Sequence, residues 1–217
     1  MNELMNEKPN HRISDAVESG DLSLLAYLLE QFPGYAGNEM LKGWLLYAAK
    51  EGQLEIVKYL IENGFDVNKQ ESGEGINPLR SACSGGHLDV VQFLLDHGAT
   101  WDLSKSVRNP LFAVITESIK DTMNKSWGPP TGEAPAIARL LLERGLDAKV
   151  RYNTKTMKNM DAVAFAMMMG ALELAHVIAL WNADGNEAEA QELMAEGLEI
   201  ARANTKPIPP GEQIAPS

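Results

Sequence analysis

Two stretches of this chain, AAKEGQLEIVKYLIENGFDVN (48–68) and ACSGGHLDVVQFLLDHGATWD (82–102), overlay without a gap. Ala48 meets Ala82, Gly52 meets Gly86, Leu54 meets Leu88, Val57 meets Val91 and Gly64 meets Gly98, each pair 34 residues apart. Each stretch reads as the end of a short helix followed by a glycine that lets the chain reverse. A second helix follows, with apolar residues at helical spacing such as Leu88, Val91, Leu94 and Leu95. Gly64 or Gly98 then ends it, since glycine suits the left-handed C-terminal position. A unit this short cannot bury its apolar stripe alone, so neighbouring copies must stack.

Further copies lie on both sides. AVESGDLSLLAYLLEQF (16–32) precedes the pair, with Gly20 standing 32 residues before Gly52. After the pair, NPLFAVI (109–115) copies NPLRSAC (77–83), and IARLLLERGLDA (137–148) copies VVQFLLDHGATW (90–101). DAVAFAMMMGALELAHVIALWNAD (161–184) is a weaker fifth copy, with Ala166 and Gly170 in register with Ala82 and Gly86. Asn77 and Asn109 are placed as N-caps, with Pro78 and Pro110 at the first helical position, and Asp161 can cap the fifth copy.

In period and motif the chain resembles ankyrin-repeat proteins, whose unit is ~33 residues. The resemblance covers roughly residues 11–184 and implies an all-α solenoid of stacked helix-turn-helix units with extended, β-hairpin-like fingers. The repeats are expected at about 11–42, 43–76, 77–108, 109–160 and 161–184. A flexible N-terminus (1–10), a C-terminal capping helix (185–205) and a disordered Pro-rich tail (206–217) are expected around them. Leu193, Leu198 and Ile200 are possible apolar anchors of the capping helix. Between Asp184 and Glu199 that segment carries six acids and no base.

The departures are local. The first copy has His11-Arg12-Ile13 where the third and fourth open at proline, and it reads as a cap with Asp15, Glu18 and Ser19 towards water. The fourth copy carries an insertion over 116–134. Gly98 and Gly145 are 47 residues apart, and Ser118 replaces the turn glycine. Ile115, Ile119 and Met123 point to a lengthened first helix, and SWGPPTGEAP (126–135) to a loop. Trp127 in that loop is either a partner contact or a side chain folded back on the stack. The connection DAKVRYNTKTMKNMD (147–161) gathers Lys149, Arg151, Lys155 and Lys158, either a solvated finger or a site for an acidic patch or phosphate.

No pattern specifies chemistry. His11, His87, His97 and His176 lack metal-ligand spacing, so no metal and no cofactor is expected. Cys83, the single cysteine, falls inside a packed helix and reads as an inert thiol. No nucleophile elbow, P-loop or dinucleotide fingerprint occurs, so an enzyme is not expected. Asn68 sits in a context that resembles the ankyrin asparagines modified by a hydroxylase, but its plainer role is to hold the finger turn.

The chain is 45% hydrophobic and 23% charged, with a net charge of −11. These fractions belong to a globular protein. No apolar run reaches membrane-spanning length and no secretory signal is evident, so cytoplasmic localisation and no membrane partner are expected. Acidity disfavours nucleic acid. It either keeps the chain dispersed or steers it towards a basic protein partner.

The resemblance implies that partners meet the fingers and the exposed side of the first helices, a concave groove. The residues before each turn glycine are expected there: Glu18-Ser19, Lys50-Glu51, Ser84-Gly85, Thr116-Glu117 and Met168-Met169. Tyr47 and Phe165 lie one turn earlier, and Trp101 stands where Val67 stands one repeat before. Met167, Met168 and Met169 either meet the partner or pack against the terminal helix. The expected function is binding of another protein, as an inhibitor, immunity protein or adaptor that is monomeric alone. The alternative is a regulatory subunit or phosphate-responsive element of an enzyme complex, with its site between the 116–134 insertion and the basic finger.

Overall fold

The computed structural model describes residues 9–33, 42–70, 75–119 and 132–205. Within them run eleven α-helices: α1 (Pro9–Ser19), α2 (Leu22–Gln31), α3 (Lys42–Lys50), α4 (Leu54–Glu62), α5 (Pro78–Gly85), α6 (Leu88–Asp96), α7 (Pro110–Ser118), α8 (Ala134–Glu143), α9 (Ala162–Met169), α10 (Leu172–Asn182) and α11 (Glu187–Thr205). They sort into two layers. The first helices of the five repeats, α1, α3, α5, α7 and α9, pack one against the next, and the second helices α2, α4, α6, α8 and α10 do the same. α11 closes the end of the stack on α9 and α10. The repeats thus form a helical solenoid.

The core between the layers mixes small and large side chains. The first helices bring alanines and Cys83, with Ala48, Ala49, Ala82, Cys83, Ala164 and Ala166 all fully buried, together with Leu45, Leu79, Leu111 and Ile115. The second helices bring mainly large aliphatics, including Ile56, Leu60, Val91, Leu94, Ile137, Leu141, Leu174 and Ile178. Full burial of each such aliphatic side chain is worth ~1.5–3 kcal/mol.

One hydrogen bond recurs at the reversals between paired helices. Asp21, Gln53 and Ala171 each donate a backbone N–H to the carbonyl five residues back, on Ala16, Ala48 and Ala166. His87 does so to Ala82 at a longer 3.3 Å. The glycine just before each of these donors has positive φ, for instance +73° at Gly52, as this helix-terminating geometry requires. The fourth repeat has no such glycine. There α7 runs to Ser118, one residue past the register of α5, with Ile119 as C-cap; Met123, on which the longer extension rests, lies outside the described residues. Thr116 Oγ1 donates to the Phe112 carbonyl and Ser118 Oγ to that of Ile115, bonds that compete with continued helix.

Three other expectations need correction. α1 opens at Pro9, two residues before the boundary drawn at 11; Arg12 still occupies the place of Pro78, so this helix starts about one turn earlier than α5. α8 begins at Ala134, inside the stretch read as a loop. Pro135 fits its first turn, where the missing N–H has no intrahelical partner to lose. On α11 the fully covered residues are Ala190, Gly197 and Ala201 rather than the large anchors, while Leu193 and Ile200 are half-buried. A Cβ on Gly197 would stand 3.1 Å from Val163 Cγ1 and 3.2 Å from the Ala164 nitrogen, so the helix lies too close for bulk.

The fingers are held mostly by side chains. Among the described residues, their strand pairing is a single antiparallel bridge, Tyr152–Met160. Asn68 spans two fingers: its amide donates to the Gly98 carbonyl at 2.9 Å, and its oxygen accepts from Thr100 N–H at 2.7 Å. Asn68 therefore ties its finger to the next one, while its own turn is held by Asp66, which accepts from Asn68 N–H at 2.9 Å. Asn77 and Asn109 cap α5 and α7 by accepting from Arg80 and Leu111 N–H, while their amides reach Thr100 O and Tyr152 Oη in the following finger.

Candidate functional site

The residues expected to meet a partner divide among three places. The largest group lies on the first-helix face, near the reversals. On α3, Tyr47 is 37% exposed, and Lys50 and Glu51 are exposed beside it. Partial desolvation, then the charges of Glu51 and Glu18, raise the Tyr47 phenol above its ordinary range. The phenol and two carboxylates from adjacent repeats therefore share one patch.

The middle of this face is built by close approach. His87 Nε2 lies 2.9 Å from the Lys50 carbonyl, which fixes that nitrogen as the donor and ties the third repeat to the second. Gln53 Nε2 makes the corresponding bond one repeat earlier, to the Glu18 carbonyl at 3.2 Å. A Cβ on Gly85 would stand 2.0 Å from the Lys50 oxygen and 2.6 Å from His87. Gly85 is thus a seam between repeats rather than a surface contact, which corrects the Ser84-Gly85 reading at its second residue; Ser84 is half-buried. The ankyrin resemblance implies a structural hydrogen bond at His87, but the matching rung at Gln53 was missed in the sequence. Its signal was a long polar side chain directly after the turn glycines Gly52 and Gly86.

Further along, Thr116 is exposed and Glu117 half-buried. The Glu117 side chain passes 3.5 Å from where a Gly86 Cβ would lie, leaning towards the third repeat. At the end of the face, Met167, Met168 and Met169 are all half-buried against the core. Phe165, expected as an open aromatic contact, stacks on Phe112 with ring centroids 4.3 Å apart and planes within 3°. Phe112 in turn meets the Tyr152 ring edge-on at 5.2 Å. Only part of the Phe165 ring is therefore left for a ligand.

The second place is the finger layer. Trp101 is half-buried there and lines a cavity of about 90 Å³ with Asn68, Asn77, Thr100, Asp102 and Arg108. Ser104 N–H and the Arg108 guanidinium hold the Asp102 carboxyl down, to about 2. The third place is the basic finger. Arg151 is bound to Asp161 at 3.3 Å and Glu196 at 2.8 Å, so it fastens the finger to α11 instead of standing free for phosphate. Lys158 N–H and the Asn204 side chain add a second tie. Lys155 is exposed on the same finger, and Trp127 lies outside the described residues.

Cys83 is completely buried, and desolvation pushes its thiol up to about 12, which suppresses the nucleophilic thiolate. Among the described residues, no group of three or more His, Cys, Asp or Glu is placed to hold a metal ion. No described helix is long and apolar enough to cross a membrane.

Comparison with known proteins agrees with this architecture. Residues 45–95 match the family model described as ankyrin repeats (many copies). The chain is 42% identical over 107 residues to a putative ankyrin repeat protein of Rickettsia felis, covering 48% of this chain and 44% of that protein. It is 33% identical over 95 residues to ankyrin repeat and SAM domain-containing protein 6 of Rattus norvegicus, covering 43% and 11%. It is 39% identical over 90 residues to alpha-latrocrustotoxin-Lt1a of Latrodectus tredecimguttatus, covering 40% and 6%. The chain thus spans less than half the length of these curated relatives. The matched stretch, the recurring Gly-Ala-Leu register and the two-layer stack lead to one conclusion: this chain carries ankyrin repeats.

Proposed function

We propose that the chain binds another protein through its first-helix face, takes a basic segment of that partner, and acts by occupying it as an inhibitor, an immunity protein or an adaptor. Ankyrin repeats are protein-protein interaction modules. The observation that carries the finer reading is the patch of Glu18, Tyr47 and Glu51, continued by Glu117 and ending at Met168 and Met169. Carboxylates beside an exposed phenol attract Lys or Arg, and the net charge of −11 steers such a ligand from a distance. The methionines offer an adaptable apolar end for one large side chain. The cytoplasm is the compartment proposed. Arg151 is neutralised by Asp161 and Glu196, so no observation favours the phosphate-responsive alternative.

Selection of displayed random peptides against the full chain tests this reading. Enrichment of Lys- and Arg-containing sequences with an apolar residue is expected. Their binding should weaken about tenfold, ~1.4 kcal/mol, in Glu18→Lys/Glu51→Lys, and also as salt is raised. Enrichment of neutral or acidic peptides, or binding unaffected by that double reversal, would contradict it.

A further inference from the structure

The second-helix layer carries a cleft that the first-helix reading does not use. It lies between α8 and α10, measures about 370 Å³, and is lined by Arg139, Leu142, Val177, Leu180, Trp181 and Asp184, with Gly185 at its edge. Leu142 and Val177 are nearly fully buried and make an apolar floor. Trp181 is 44% exposed at the end of α10, where a large aromatic is left in water at a real cost. The rim holds one cation, Arg139, and one anion, Asp184. Among the described residues, neither side chain takes part in an ion pair or hydrogen bond.

We propose that this cleft is a self-association surface, on which two copies of the chain pair about a two-fold axis. The rim is electrically balanced on a chain of net charge −11, so a ligand of either sign gains little there. What complements a cation beside an anion is the same pair reversed, and a two-fold axis supplies that arrangement from a second copy. Arg139 of each copy then faces Asp184 of the other, and each Trp181 covers the other's apolar floor. Two indoles bury only ~150–250 Å² each, against the ~1,200 Å² of a stable interface. The pairing is therefore weak, and the overall repulsion of two acidic chains weakens it further. This departs from the monomer expected of the sequence. Because the cleft is on the second-helix layer, pairing leaves both first-helix faces open and makes the assembly bivalent.

Sedimentation of the full chain from about 10 μM to about 1 mM, with circular dichroism to verify folding, tests the proposal. The wild type is expected to shift reversibly from monomer to dimer. Arg139→Asp alone, and Trp181→Ala or Trp181→Gln alone, should each raise the dissociation constant at least tenfold. The double reversal Arg139→Asp/Asp184→Arg should restore pairing, because the ion pairs re-form with their signs exchanged. A wild type that stays monomeric throughout, or a dimer indifferent to these single variants, would overturn the proposal. So would a folded double reversal that does not regain association.

Discussion

At Asn77 one nearly buried amide makes two bonds: its oxygen caps α5 and its nitrogen donates to Thr100 O at 2.8 Å. Asn77→Asp would keep the cap but set a carboxylate against a carbonyl. Urea unfolding is expected to show a loss of ~1–3 kcal/mol, the cost of an unpaired buried polar group. The cap was legible from N-P-L; the latch was not, because its acceptor lies in the next finger. Gly85 teaches the same lesson, since only the neighbouring Lys50 carbonyl explains why a side chain is excluded. Gly85→Ala is expected to cost ~1–3 kcal/mol by overpacking, and an unchanged midpoint would deny the seam. Asp102 sets an acid limb. Its carboxyl is lowered from 3.8 to about 2 in the fold, so its stabilisation is present above pH ~4 and is lost as pH falls through about 2. Asp102→Asn should flatten the decline of stability in that window; an identical acid profile would show that the Arg108 and Ser104 contacts do not operate.

Among the elements, α11 depends most on fit. Its fully covered residues are Ala190, Gly197 and Ala201, with Gly197 set against Val163 and Ala164 of α9, and polar ties run from Arg151 to Glu196 and from His176 to Glu187 at 3.0 Å. Gly197→Leu is expected to lift this helix, giving faster amide exchange in α11 and α9 while α3 to α6 stay protected. Gly197→Ala sets a helix-propensity gain of ~1 kcal/mol against the 3.1 Å contact with Val163 and should move stability much less. Equal exchange in wild type and Gly197→Leu would contradict close packing as the device that docks α11. Sequence periodicity located this helix well. It named Leu193 and Ile200, which pack half-buried against the core, but missed the fully covered Ala190, Gly197 and Ala201, because the backbone separation selects small residues. The tie of Arg151 was illegible for a related reason, since Asp161 and Glu196 come to it only after folding, while Lys149, Lys155 and Lys158 stay exposed on the same finger.

For the whole molecule, repetition made the fold legible: a motif seen five times fixes the helices, their order and their stacking. It could not fix the ligand, because the surface positions are the ones that vary between copies. Tyr47, Lys50 and Glu51 remain open on the first-helix face, whereas Phe165 is drawn into a stack on Phe112 and Trp101 into a finger cavity. These are tertiary outcomes with no local signal. The central proposal is that function resides on the first-helix face, and capture of a partner from native host lysate, with matched variants, tests it most directly. Wild type and the second-face variant Trp181→Ala should both retain one stoichiometric protein, which Tyr47→Ala/Met168→Ala loses by at least about tenfold. A partner held equally by the Tyr47→Ala/Met168→Ala chain, or no partner retained by the wild type, would contradict it.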